Sequence, residues 1–203
     1  MEHSFPEYAT FEGKKFQGTD FADQQLHHVS FTRCSFRGMD MAALVTKGCT
    51  FHYCDFTFAR LNESHHQYTA FAGCTFSGCS LFGATLIQCK CIGSTFSGAV
   101  FTGIEIQGGN FSDCYLADSD LRGLCLDNIN FSGANLQNCN LEKAKMRNCN
   151  FTRAQLAGAN LKKADIQGAL IDGVDMRQVK MQDTLIDVPQ AILIAHCLGC
   201  KLG

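Results

Sequence analysis

Two groups of residues in this chain are of types that carry chemistry. His65 and His66 stand together in the stretch NESHHQY (62–68), and thirteen cysteines are spread over 203 residues, the last two in His196-Cys197-Leu198-Gly199-Cys200. An imidazole pair invites a metal ion, and a Cys-x-x-Cys pair invites zinc or thiol redox chemistry. Neither set is complete. Spacing supplies the histidines with no carboxylate or cysteine partner, and structural zinc needs four ligands, which a lone Cys-x-x-Cys reaches only if a two-fold dimer doubles it. The chain also has no Ser/His/Asp spacing, no phosphate-binding glycine loop and no convergent carboxylate pair. The sequence therefore predicts no enzyme, no cofactor and no bound metal.

The elements that hold these residues follow from a period of five. Counting from Phe11, every fifth residue to Ile186 forms a lattice of 36 positions, and all are Phe, Leu, Ile, Met or Cys except Thr46 and His66. A step of five smears apolar residues around a helix and alternates them across a flat strand. The chain must instead turn a corner every few residues, so that each lattice residue enters one shared interior. Most of the 19 glycines lie two residues after a lattice position, where a corner calls for positive φ.

The position two before each lattice residue is often Ala or Cys. Nine cysteines (34, 49, 54, 74, 79, 89, 114, 139 and 149) sit there. They read as small buried hydrophobes more readily than as disulfides, because stacked cysteines would point in parallel. No apolar run reaches membrane length and the start has no signal-peptide pattern, so a cytoplasmic, non-membrane protein is expected.

Units such as ANLQN (134–138), CNLEK (139–143), ANLKK (159–163) and ADIQG (164–168) resemble the A(D/N)LXX consensus of pentapeptide-repeat proteins. That resemblance implies an all-β solenoid: a right-handed quadrilateral β-helix with four pentapeptides per coil. The lattice then divides into about nine coils over residues 9–187, a rod of roughly 43 Å at the usual strand spacing. Residues 1–8 are expected to cap the N-terminal end, and 188–203 to form a C-terminal helix and tail.

The tail begins with Asp187 as N-cap and Pro189 in the first turn, and stops at Gly199. Ala191, Ile194, Ala195 and Leu198 form one apolar stripe, which Ile192 and Leu193 extend. A helix so apolar should be covered on more than one face. One face caps the last coil, and a symmetric partner is the economical cover for the other, a monomeric cap being the alternative. The tail resembles the C-terminal dimerisation module of the Qnr-type quinolone-resistance proteins, which share a topoisomerase-protecting group with MfpA and AlbG. The resemblance implies a head-to-head, B-DNA-shaped homodimer through Ala191, Ile192, Ile194, Ala195 and Leu198. It also implies DNA gyrase or topoisomerase IV as partner, with no direct binding of nucleic acid. Its role would be relief of topoisomerase poisons.

Candidate contact residues come from two places. Thr46 and His66 are separated by four whole pentapeptides and so touch in adjacent coils. With Lys47, Gly48, His65, Gln67 and Tyr68 around them, that face is expected to bulge outward, either as a harmless local irregularity or as a partner-contacting loop. The second place is an acidic girdle, for which plain solvated acids on turns are the alternative reading: residues 91–135 hold Glu105, Asp113, Asp118, Asp120 and Asp127 against Arg122 alone, a net −4 that leaves +2 for the rest of a chain of net −2. Duplex DNA would carry about 25 charges over such a rod, so mimicry would rest on shape and a local patch. Phe82, Ile87 and Ile92 should point outward, with Tyr53 and Phe58 exposed near the irregular coils. Two further functions remain open: a scaffold for a different protein, and direct sequestering of a drug or toxin.

Overall fold

The computed structural model describes residues 5–17 and 21–201. It is a solenoid of short parallel strands closed by one C-terminal helix. Three-residue strands form two sheets. One stacks β1 (Thr10–Glu12), β3 (Ser30–Thr32), β5 (Thr50–His52) and β7 (Ala70–Ala72). The other stacks β2 (Gln25–His27), β4 (Val45–Lys47), β6 (His65–Gln67), β8 (Thr85–Ile87) and β9 (Glu105–Gln107). Register advances by four pentapeptides from strand to strand, as in Phe31↔Phe51 and Leu86↔Ile106. Single bridges such as Ser35↔Asp55 and Asp40↔Arg60 close the other two sides, making each coil four-sided.

The lattice residues fill the interior. Phe31, Phe51 and Phe71 stack with ring centroids 4.9–5.0 Å apart, and Phe36, Phe56, Phe76 and Phe96 stack on the next side at 4.8–5.0 Å. The two columns meet edge to face, so along these two sides the N-terminal half of the tube has an aromatic core. Of the expected N-terminal cap, residues 1–4 lie outside the described residues; Phe5 stacks on Phe21 at 4.8 Å and meets Phe11 and Phe31 edge-on. Nearly every corner residue has positive φ. Where it is not glycine it is often Asn or Asp, but Tyr53, Phe58 and Tyr68 take it too.

The small-position cysteines have a further job. Except at Cys79, each thiol reaches the carbonyl of a lattice residue in the preceding coil, as in Cys54 to Phe31 (3.4 Å), Cys74 to Phe51 (3.3 Å) and Cys139 to Leu116 (2.8 Å). Ser94 does the same for Phe71. Burial pushes the thiols of Cys79, Cys114, Cys139 and Cys149 up to about 12, so they stay protonated.

Helix α1 (Val188–Cys197) starts at the N-cap Asp187, with a reciprocal capping box to Gln190. Buried Gln190 also donates to the carbonyls of Ile166 (2.6 Å) and Ala169 (2.8 Å), which pins the helix to the last coils. The expected stripe needs correcting. Ile194 and Cys197 join Gln190 against the core, while Ala191, Ile192, Leu193 and Leu198 face outward and Ala195 is half-buried.

Two intervals break the regularity: among the described residues Gln155 is not bridged to Asp175 near the C-terminal end, and a wider break lies mid-rod. Ser80↔Val100 and Asp120↔Asn140 are bridged, but among the described residues Val100 is not bridged to Asp120, nor Glu105 to Cys125. The aromatic packing tilts there as well, Phe96 and Phe111 lying 36° apart. Consequently, fewer coils are bridged on all four sides than the nine counted from spacing.

Candidate functional site

The two lattice exceptions do not bulge. Thr46 and His66 lie in β4 and β6, paired in register, and are 0% and 2% exposed. The outward loop expected around them is absent: the strands keep their places because the polar groups satisfy one another inside the tube. Thr46 Oγ1 is 2.7 Å from His66 Nδ1 and 2.8 Å from Thr69 Oγ1, and His66 Nε2 is 2.9 Å from Ser64 Oγ. Ser64 donates to the carbonyl of Leu61 at 2.7 Å.

That last bond sets the direction of the rest. With its proton committed to Leu61, Ser64 Oγ accepts from His66 Nε2–H, so Nδ1 accepts from Thr46, whose oxygen accepts from Thr69. The Gln67 carbonyl, 3.2 Å from Thr69 Oγ1, is the weaker claimant on that last proton. The imidazole is neutral. Burial and the neighbouring His65 lower its pKa to about 3. Sequence reasoning missed Ser64 and Thr69, although both hold small positions beside the two exceptions and both are hydroxyls. No partner can reach Thr46 or His66.

The flanking residues are available. Lys47, His65 and Tyr68 are exposed, and Gly48 and Gln67 half-buried. Register places Lys47 beside Gln67, and His65 two coils from Glu105, all on the side built by β2, β4, β6, β8 and β9. Glu105 accepts from Gln107 at 2.7 Å. The other acids do not gather. Asp113 and Asp118 occupy corners, with Asp118 accepting from Asn138 (3.1 Å). Asp120 pairs with Arg122 (2.7 Å), which lowers its carboxyl, and Asp127 accepts from the Arg147 amide (2.7 Å).

Of the residues expected to point outward, Phe82 and Ile92 are exposed and Ile87 is half-buried. Tyr53 and Phe58 are exposed at neighbouring corners of one side, and their rings lie over Gly73 and Gly78 of the next coil. Spacing did not reveal their partners. The guanidinium of Arg33 sits 5.9 Å from the Tyr53 centroid, and that of Arg37 5.4 Å from Phe58. The positive φ of Tyr53 and Phe58 is shared by nearly every corner, so what marks these two is an aromatic ring carried on the surface. Aromatic and arginine side chains together are the usual anchors of protein interfaces.

Beyond the tube, Cys197 is tucked against Met176 N (3.4 Å) whereas Cys200 is exposed, so the terminal Cys-x-x-Cys is divided between core and surface. No helix among the described residues is long and apolar enough to cross a membrane.

The surface is thus that of a rod, with side chains displayed in columns that repeat once per coil. Comparisons with known proteins agree with this architecture. A structure of full-length QnrB1, titled a plasmid-mediated fluoroquinolone resistance protein, is similar at a TM-score of 0.82 and 21% identity, over 94% of this chain and 98% of that one. A trypsin-treated variant of QnrB1 is similar at a TM-score of 0.79 and 20% identity, over 96% and 99%. No curated protein matches the chain. Residues 54–178 match the family described as pentapeptide repeats, in eight copies, and the chain belongs to that family.

Proposed function

We propose that the protein binds a type II topoisomerase, DNA gyrase or topoisomerase IV, as a rod-shaped homodimer, and protects it from a quinolone- or albicidin-type poison. The observation that carries this reading is the end-to-end likeness to QnrB1, which leaves almost no part of either chain unmatched. The helix supports the dimer: Ala191, Ile192, Leu193 and Leu198 present an apolar surface beyond the last coil. A second copy covers it by two-fold symmetry.

Contact with the enzyme falls on the displayed columns. Lys47, Gly48, His65, Gln67 and Tyr68 form one patch with Glu105, and Asp113, Asp118, Asp120 and Asp127 ring the coil that follows. The Tyr53–Arg33 and Phe58–Arg37 corners add anchors of the kind that dominate binding energy. Catalysis has no part in this role.

Immobilised gyrase and topoisomerase IV, titrated with the purified protein, test the reading. Saturable binding at about micromolar concentration is expected, weakened when Tyr53 and Phe58 are both replaced by glycine. Absence of binding to both enzymes removes the proposal and leaves a scaffold for another protein. Calorimetric binding of the free drug by the protein alone would favour the sequestering alternative.

A further inference from the structure

The wider, mid-rod unbridged interval opens a cleft of about 410 Å³ between two coils, lined by Ala99, Val100, Phe101, Thr102 and Gly103 on one lip and by Asp120, Arg122 and Leu124 on the other. We propose that this cleft is a docking slot for an extended segment of another polypeptide, held by main-chain hydrogen bonds to both lips. The inference goes beyond the choice of enzyme partner and does not depend on it.

The opening has a steric cause. Two positions before the lattice, the side built by β2, β4, β6, β8 and β9 carries Leu44, Ser64, Ala84, Ile104, Leu124, Ala144 and Ala164 in successive coils. A single branched residue, Leu44 beside Ser64, is buried without opening the coils, whereas Ile104 and Leu124 are stacked one on the other. Ile104 and Leu124 place two branched side chains where their neighbours have small ones. Leu124 is only half-buried. The coils are wedged apart on two sides while Thr95↔Tyr115 and Asn110↔Asn130 hold them together on the other two.

Wedging strips the lips of their usual partners. In most other coils a lattice amide donates to a carbonyl of the following coil, as Leu81 does to Val100 (2.9 Å), and so does the corner amide, as Gly83 does to Thr102 (3.0 Å). Among the described residues the amides of Phe101 and Gly103 make no such bond to Asp120 and Arg122, and the Asp120 amide makes none to Ala99. One lip is thus left with the Ala99 carbonyl and the Phe101 and Gly103 amides, and the other with the complementary Asp120 amide and the Asp120 and Arg122 carbonyls, as at an open sheet edge. The corners are Gly103 and Gly123, so no side chain shields the backbone there.

An extended backbone is the ligand whose own donors and acceptors answer such edges on both sides. The cleft volume falls in the range of binding sites, about 300–1,000 Å³. Phe101 and Leu124 supply an apolar floor, and the solvent-facing Asp120–Arg122 pair stands at the mouth. The occupant is thus a short, extended stretch with unmodified amides.

The test uses the full-length protein labelled with nitrogen-15 and a positional-scanning library of pentapeptides blocked at both ends. Selected peptides are expected to shift the amide resonances of Phe101, Gly103 and Asp120. The same sequences methylated on alternate amide nitrogens should bind at least about tenfold more weakly, the equivalent of one lost hydrogen bond. Leu124→Ala, which restores the small residue found at Ala144 and Ala164, should close the slot, slow hydrogen exchange at Phe101 and Gly103, and abolish peptide binding. No library pool shifting these amides, or equal binding of the methylated peptides, overturns the proposal. So does binding that survives a closed slot in Leu124→Ala. The methylation arm reads out on the unaltered protein, so it stands even if the variant folds poorly.

Discussion

At the residue scale, His66 shows how a polar group survives inside a tube of phenylalanines. The hydrogen bonds run in one direction, from Thr69 through Thr46 and His66 to Ser64 and the Leu61 carbonyl. The arrangement holds only for neutral imidazole. Unfolded histidine takes up a proton near pH 6.5 and folded His66 only near 3. Its contribution is therefore complete above about pH 6.5 and is lost as the pH falls toward about 3, at up to about 1.4 kcal/mol per unit. Urea unfolding between pH 7.5 and 4.5 should show this slope, and His66→Leu should remove it. His66→Leu should also cost about 1–3 kcal/mol at pH 7.5, because Thr46 and Ser64 lose their partner. Equal pH slopes in both proteins would contradict the buried relay. Contact between residues 46 and 66 was legible from their separation by one whole coil. Their inward direction was not, since a polar lattice residue reads first as a break. The hydroxyls at Ser64 and Thr69 were the overlooked sign.

At the scale of elements, corners and caps decide local stability, because each coil packs only on its neighbours. Gly109 has φ +107°, and a Cβ there would stand 2.5 Å from the Cys89 carbonyl oxygen. Gly109→Ala should destabilise the coils around it by about 1–3 kcal/mol or more, seen as a lower urea midpoint; an unchanged midpoint would show that the backbone there yields freely. The helix depends on Gln190. Its loss leaves the Asp187 amide and the Ala169 carbonyl without a partner, and the Ile166 carbonyl with the Ala169 amide alone, which loosens the docked end. By sedimentation, the protein should be dimeric at micromolar concentrations and Gln190→Ala shifted toward monomer. A wild-type monomer at every concentration would refute the tail interface. The N-cap, Pro189 and the stop at Gly199 could be read in advance. Which face docks could not, because the deepest residue of the helix is a glutamine and apolar residues lie on both faces.

At the scale of the whole molecule, the period of five specifies the solenoid almost unaided. Every apolar lattice position repeats a choice consistent with its neighbours above and below, so register has no competing solution. The cleft escaped notice for the same reason: Phe101, Leu121 and Leu126 keep the lattice unbroken, and only the volumes of Ile104 and Leu124 betray the wedge. Surface function is less legible still, since outward residues are free of the repeat and the acids at 113, 118, 120 and 127 fall on different sides. The most direct measurement of the proposed role is gyrase supercoiling of relaxed plasmid at an inhibitory ciprofloxacin or albicidin concentration, with and without the protein. Restored supercoiling, weakened in the Tyr53→Gly/Phe58→Gly protein, is the predicted result. Supercoiling that stays inhibited at every protein concentration with both poisons would contradict it.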